Sequence, residues 1–249
     1  MSNSPRIDAD FANLIPPLRE DEYAALEQSL IAEGCRDALV VWGEEKILLD
    51  GHNRLIICYE HGIPFNTLSL NLPSREAAQR WILDNQLARR NLTDKQRKLL
   101  MGLRYKAEKA TWGTNQHTRS DHFGHSSTSK TRKQIADELG VGEGTIQRAE
   151  VFADAVEVIA VISPELANAL ITEEVEATYR EIARFADVCQ QEPESAGEAA
   201  DDILSGNEHS LTWAVRRAQP DRKPRSSPVS RRETCSYCGQ ELPDQMLDN

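Results

Sequence analysis

Thr131–Arg148 reads Thr-Arg-Lys-Gln-Ile-Ala-Asp-Glu-Leu-Gly-Val-Gly-Glu-Gly-Thr-Ile-Gln-Arg, and no other stretch of the chain restricts its folding so tightly. Two short helices crossing at close range need a small residue at the crossing, and Ala136 supplies it. The turn between them needs a residue that tolerates positive φ, and Gly140 supplies that. Ile135, Leu139, Val141 and Ile146 are the apolar residues that lock such a pair together. These offsets predict a helix-turn-helix over about residues 131–152. The second helix would carry Glu143, Thr145, Gln147 and Arg148 at or near its N-terminal end, the part that enters a major groove. Gln147 and Arg148 have the donors and acceptors that base edges require. An ordinary pair of packed helices joined by a glycine turn is the alternative. Gly142 and Gly144 loosen the start of the second helix, at about 1 kcal/mol each against Ala.

A net charge of −11 over 249 residues is at odds with a nucleic-acid partner until it is resolved along the chain. From Gln86 to Lys133 there are 12 Lys/Arg against 3 Asp/Glu, a local charge of +9 that leaves −20 for the remainder. Such an island favours phosphate, because bound cations release condensed counterions. Lys95, Arg97, Lys98 and Arg104, together with Arg132 and Lys133 of the first motif helix, are the expected phosphate contacts. The alternative is a charged helix that only keeps itself soluble.

Hydrophobic periodicity organises the rest. Glu20–Glu33 reads as a helix with Tyr23, Leu26 and Leu30 on one stripe. Ala38–Trp42 and Lys46–Leu49 are β-rich runs joined by Gly43-Glu44-Glu45, as in a hairpin. Arg54–His61 reads as a helix, Phe65–Leu70 as a third extended segment, and Ser74 as the cap of a helix reaching Leu87. A further helix covers Asp94–Thr111, and Thr131–Arg217 is helical with breaks. Trp112–Ser129 and Gln219–Thr234 have the composition of linkers. The expected fold is therefore α+β. A small mixed α/β domain over 1–92 precedes an all-helical DNA-binding region over 93–218 and a flexible tail over 219–249.

Leu49-Asp50-Gly51-His52-Asn53-Arg54 follows a strand and opens a helix, where backbone amides can hold an anion and Arg54 adds charge. Asp84-Asn85-Gln86-Leu87-Ala88-Arg89-Arg90-Asn91-Leu92-Thr93 follows it. This arrangement, with the helix at Glu20–Glu33 and the Gly62-Ile63-Pro64 exit, resembles the N-terminal domain of the ParB-like family. That domain belongs to the ParB/sulfiredoxin group and occurs in plasmid, phage and mobile-element proteins. With the helix-turn-helix and the helices after it, about 190 residues fit the resemblance. It implies sequence-specific binding to double-stranded DNA, in partition or in transcriptional regulation. It also implies a homodimer, a ParA-like ATPase as a partner, and a cytoplasmic place on nucleoid or plasmid.

Partition ParBs also bind and hydrolyse CTP, with magnesium, through a Gly-Glu-Arg-Arg type box and a later Glu-Asn-x-x-Arg type segment. Carried onto this chain, Gly51, His52, Asn53, Arg54, Asn85, Arg89 and Arg90 are the candidate nucleotide contacts. His52 and Asn53 depart from the family pattern, which has Glu and Arg there. One lost guanidinium removes a bidentate contact to phosphate. A protonated His52 is the expected compensation, with tighter binding at lower pH. A scaffold turn in which Arg54 pairs with an acid is the alternative. Sulfiredoxins carry a reactive Cys directly after the Gly, where this chain has His52, and that activity is excluded.

Cys235-Ser236-Tyr237-Cys238 resembles half of a zinc ribbon, but no second Cys-x-x-Cys supplies the other two ligands, so the pair reads first as a solvent-exposed, metal-free tail, with zinc shared between chains or completed from elsewhere as the alternative. His117, His122 and His125 sit with Asp121 in a polar stretch and read as linker. Trp42, Trp81, Trp112 and Trp213 read as packing residues. Five scattered Cys fit a reducing compartment, and no apolar run approaches the roughly 18–20 residues that span a bilayer. Two rival functions follow from other segments. One is a nucleotide-dependent switch or nuclease on the Asp50–Arg54 turn. The other is an adaptor recruiting a partner through acidic helices and the Cys tail.

Overall fold

Strand β1 (Leu39–Trp42) is the centre of a three-stranded sheet ordered β2-β1-β3. β2 (Ile47–Asp50) pairs antiparallel with it, with Trp42 opposite Ile47, and β3 (Thr67–Leu70) pairs parallel, with Leu39 opposite Thr67. Alternation along the strands sends Leu39, Val41 and Leu48 to one face and Ile47 and Leu49 to the other. On the first face lie α2 (Glu20–Glu33) and α3 (His52–His61), contributing Leu30, Leu55, Ile57 and Cys58. On the second lie α4 (Arg75–Leu87), with Ala78 and Ile82, and Phe11 from the short α1 (Ala9–Ala12). The structure, a computed structural model, describes residues 4–115, 126–207 and 210–218.

Among the described residues seven helices follow: α5 (Asp94–Asn115), α6 (Ser126–Leu139), α7 (Glu143–Ile162), α8 (Pro164–Ile171), α9 (Tyr179–Gln191), α10 (Pro193–Leu204) and α11 (Leu211–Ala218). Leu83 and Leu87 of α4 share one core with Leu100, Met101 and Tyr105 of α5, Ile135 and Ala136 of α6, and Ile146 and Ala149 of α7. Apolar packing thus runs across residue 92 without a break, and residues 1–218 form one unit. A second core joins the C-terminal half of α7 to α8–α11 through Phe152, Ile159, Leu170, Ile182 and Phe185.

The elements follow the sequence pattern with three differences. α3 begins at His52, directly after Gly51, two residues before the expected start. α1 has too few residues for periodicity to show. It is held by the Asp8 carboxylate, which accepts from the Asp10 and Phe11 amides and from Arg75, at 2.7 and 2.9 Å. α5 and α6 both reach into the polar stretch expected as a linker, ending at Asn115 and starting at Ser126. Helical hydrogen bonding propagates outward from packed turns, so local composition is a weak guide there. Residues 219–249, including Cys235 and Cys238, lie outside the described residues, as does the cluster of His117, Asp121, His122 and His125.

Candidate nucleic-acid interface

The motif folds as its residues require. Gly140 takes φ 66 in the turn, Val141 donates its amide to the Ala136 carbonyl at 2.9 Å, and Gly142 caps α7 through its backbone alone. Ala136 is 1% exposed and Ile146 fully buried, so both sit in the helix crossing. Burial alternates sharply along the start of α7. Ile146 and Ala149 face inward, while Glu143, Gln147, Arg148 and Val151 are exposed on the opposite side. Thr145 is half-buried and accepts from Arg148 Nη2 at 3.3 Å. Four exposed side chains on one face of a helix that is locked by its other face can be inserted into a groove without unfolding anything.

One residue with no signal in the sequence fixes that helix. A Cβ on Gly102 of α5 would stand 2.2 Å from the Ala149 carbonyl oxygen, so α5 and α7 touch backbone to backbone there. Only glycine allows this approach, and α7 is seated on α5 along its length.

The basic island divides into two groups. Four of its cations are ion-paired with acids of the chain. Arg89 binds Asp50 at 2.8 Å, Lys106 binds Asp154 and Glu157 at 2.6 Å each, and Lys109 binds Glu150 at 2.9 Å. Arg104, expected at phosphate, is 2% exposed and lies among Asp84 (2.8 Å), Glu108 (2.8 Å) and Glu138 (3.5 Å), so its charge is not available to a ligand. Lys95 is buried and lines a depression with Glu173, Glu176 and Glu181. Arg97 is half-buried, 3.5 Å from the Leu87 carbonyl.

Lys98 of α5 and Arg132 and Lys133 of α6 make no ion pair among the described residues. Lys133 is exposed. Arg132 is half-buried beside Tyr105, with its guanidinium 5.4 Å from the ring centroid and Nη2 3.4 Å from the hydroxyl. The Lys98 ammonium sits 3.4 Å over the Tyr179 ring in a cleft shared with Gln147 and Arg148, where burial and the Arg148 charge lower its pKa. Lys98 and Arg148 thus bring positive charge to the start of α7, although the chain as a whole is acidic.

The strand-to-helix turn at Gly51 lines a separate cavity of about 630 Å³ with Asp50, His52, Asn53, Arg54, Arg89 and Arg90. Asn85, expected with them, is not among its lining residues. Gly51 takes φ 96, and a Cβ there would stand 2.5 Å from Leu39 Cδ2, so the turn requires glycine. Both Asp50 carboxylate oxygens are taken: Oδ2 accepts from Arg54 at 2.8 Å and Oδ1 from Arg89 at 2.8 Å. Arg54 also donates to the Asp37 carbonyl at 2.7 Å. His52 is 8% exposed, and burial lowers its pKa against an opposing pull from Asp50. It is therefore neutral near pH 7, which removes the compensation expected of a protonated imidazole. With one family guanidinium replaced by Asn53, two others held by Asp50, and a neutral His52, these residues do not fit a triphosphate.

No protein-family model matches the sequence, and no curated protein matches it. Among solved structures, the fold is that of a ParB N-domain, a mixed α/β sheet domain continued by helices. One match is to the C2221 form of a Pnob8-like ParB-N domain, at a TM-score of 0.51 and 15% identity, covering 87% of this chain and 90% of that one. A pNOB8-like ParB N-domain aligns at a TM-score of 0.49 and 13% identity over 88% and 92% of the two chains. At 87% coverage the first likeness extends well past residue 92 and takes in the helical region. No helix among the described residues is long and apolar enough to cross a membrane.

Proposed function

We propose that this chain binds a specific site on double-stranded DNA through α7, as a ParB-like protein serving partition or regulation of a plasmid or mobile element. The observation that carries the reading is the two-sided start of α7. Ile146 and Ala149 lock one face, while Glu143, Gln147, Arg148 and Val151 are exposed on the other, with Lys98 in the cleft that Gln147 and Arg148 line and Lys133 exposed on α6. Phosphate contacts from those lysines set register, and Gln147 and Arg148 read base edges. Binding needs no chemistry from the protein. A homodimer would present two such helices to half-sites about 34–36 Å apart, and the site should then be palindromic.

Selection of bound sequences from random duplexes tests the proposal. It should enrich one short motif whose affinity exceeds that for random DNA by about 10³ or more. Retention of all sequences alike would overturn it.

A further inference from the structure

The start of α7 carries a side chain that neither packing nor helix formation explains. Val151 is 56% exposed and belongs to neither helical core, which take Ala149 and Phe152 from this part of α7. A β-branched residue is also a poorer helix former than Ala at an exposed position. Val151 stands one turn beyond Gln147 on the same face, so a groove that admits Gln147 also meets Val151. Base edges in the major groove are polar, and the apolar group they present is the 5-methyl of thymine. An apolar side chain facing those edges gains at that methyl and only desolvates polar atoms elsewhere.

The surroundings of Val151 supply what the rest of a nucleotide requires. With Gln147 it lines a cleft of about 350 Å³ between α5, α7 and the first turns of α9, together with Phe152 and Ala183. Three cations reach this cleft: Lys98 of α5, Arg148 of α7 and Arg180 of α9. None of them makes an ion pair among the described residues, and Arg180 is exposed. Lys98 is held 3.4 Å above the Tyr179 ring, where burial and the neighbouring Arg148 charge lower its pKa. An anion entering the cleft would relieve that repulsion. Cations gathered without an acid, on a chain of net charge −11, favour phosphate.

We propose that this cleft seats one thymine nucleotide of the bound duplex, its 5-methyl group on Val151 and its backbone phosphate on Lys98 and Arg180. The inference rests on α7 entering the groove. It adds to that reading a particular base and a second contacting element, α9.

Titration of the full chain with the selected duplex, each thymine replaced in turn by uracil, tests it. Uracil keeps every hydrogen bond and removes only the methyl, so at one position wild type should bind about fourfold more weakly. In Val151→Ala, which trims an exposed side chain and favours the helix, the same replacement should leave affinity nearly unchanged. Arg180→Ala should flatten the log–log salt slope by about 1 unit. No thymine whose methyl matters, a uracil loss as large in Val151→Ala as in wild type, or an unchanged salt slope in Arg180→Ala would each overturn the proposal. If Gln147 and Arg148 still govern the selected site in that event, the reading of α7 stands without it. Failure to select any site would overturn both.

Discussion

Arg104 Nε lies 2.8 Å from Asp84 Oδ1, and this pair fastens α5 to α4 at the point where α6 also arrives. The same guanidinium reaches Glu108 at 2.8 Å and Glu138 of α6 at 3.5 Å, while Arg80 of α4 joins Asp84, Glu108 and Glu138 from the outside at 3.6–3.7 Å. Two guanidiniums against three carboxylates make a junction between the sheet domain and the first motif helix. Asp84 and Glu108 hold the Arg104 charge in place against the cost of burying it, and its pKa is raised.

Arg104→Ala leaves Asp84, Glu108 and Glu138 with only the outer, longer contacts of Arg80. The loss should be about 2–3 kcal/mol, below the roughly 3–5 of a fully buried pair because Asp84 and Glu138 keep half their contact with water. Urea denaturation measures it. Since Arg104 is not at the DNA surface, the variant's salt dependence of DNA binding should match wild type at temperatures where both are folded.

Gly102→Ala tests the seat of the reading helix. The added methyl meets the Ala149 carbonyl at 2.2 Å, and backbone cannot swing aside as a flexible side chain would. Overpacking of this kind costs about 1–3 kcal/mol. The thermal midpoint should fall and specific DNA affinity should fall with it, because Ala149 lies one residue beyond Arg148. A variant as stable as wild type would mean that α5 and α7 are further apart than described.

The neutral His52 gives stability a direction with pH. Its pKa is lowered in the folded state by burial, so between about pH 6.5 and that lowered value the unfolded chain binds a proton that the folded chain refuses. The contribution is flat above the unfolded value and is lost as pH falls through this window. Urea midpoints from pH 8 to 5 should decline for wild type, and His52→Leu should flatten the decline. Parallel curves for the two proteins would show that His52 takes its proton freely in the fold.

Salt dependence separates the free cations from the paired ones. Replacing Lys98 and Lys133 together with Ala should flatten the log–log slope of DNA affinity by about 1–2 units. Replacing Lys106 and Lys109, which are paired with Asp154, Glu157 and Glu150, should leave the slope nearly unchanged. Equal effects from both pairs would return the whole island to DNA contact.

The helix-turn-helix was legible because its demands are local. Ala136, Gly140 and Ile146 fall within a few turns of one another, and each answers one geometric requirement. Strands β1 and β2 were legible for the same reason, through alternation around a short turn. Charge pairing was not, because its partners are remote in the chain. Arg89 meets Asp50, Lys106 meets Asp154, and Lys109 meets Glu150, each about forty or more residues away. A count of charges along the sequence therefore could not separate Arg89, Arg104, Lys106 and Lys109, which are paired within the fold, from Lys98 and Lys133. The Gly51 turn was readable as a strand–glycine–helix junction, but the burial of His52 and the second hold on Asp50, from Arg89 thirty-nine residues away, depend on tertiary packing. Gly102 carried no local signal, since the chain that crowds it comes from α7.

The most direct test of the central claim is the affinity of Gln147→Ala and Arg148→Ala, singly and together, for a selected site and for random duplex of equal length at one salt concentration. Each base contact removed should cost about 1–3 kcal/mol on the selected site. Random DNA should be bound nearly as before, with Arg148→Ala losing at most one phosphate's share. Equal losses on both duplexes, or none on either, would contradict a reading role for α7.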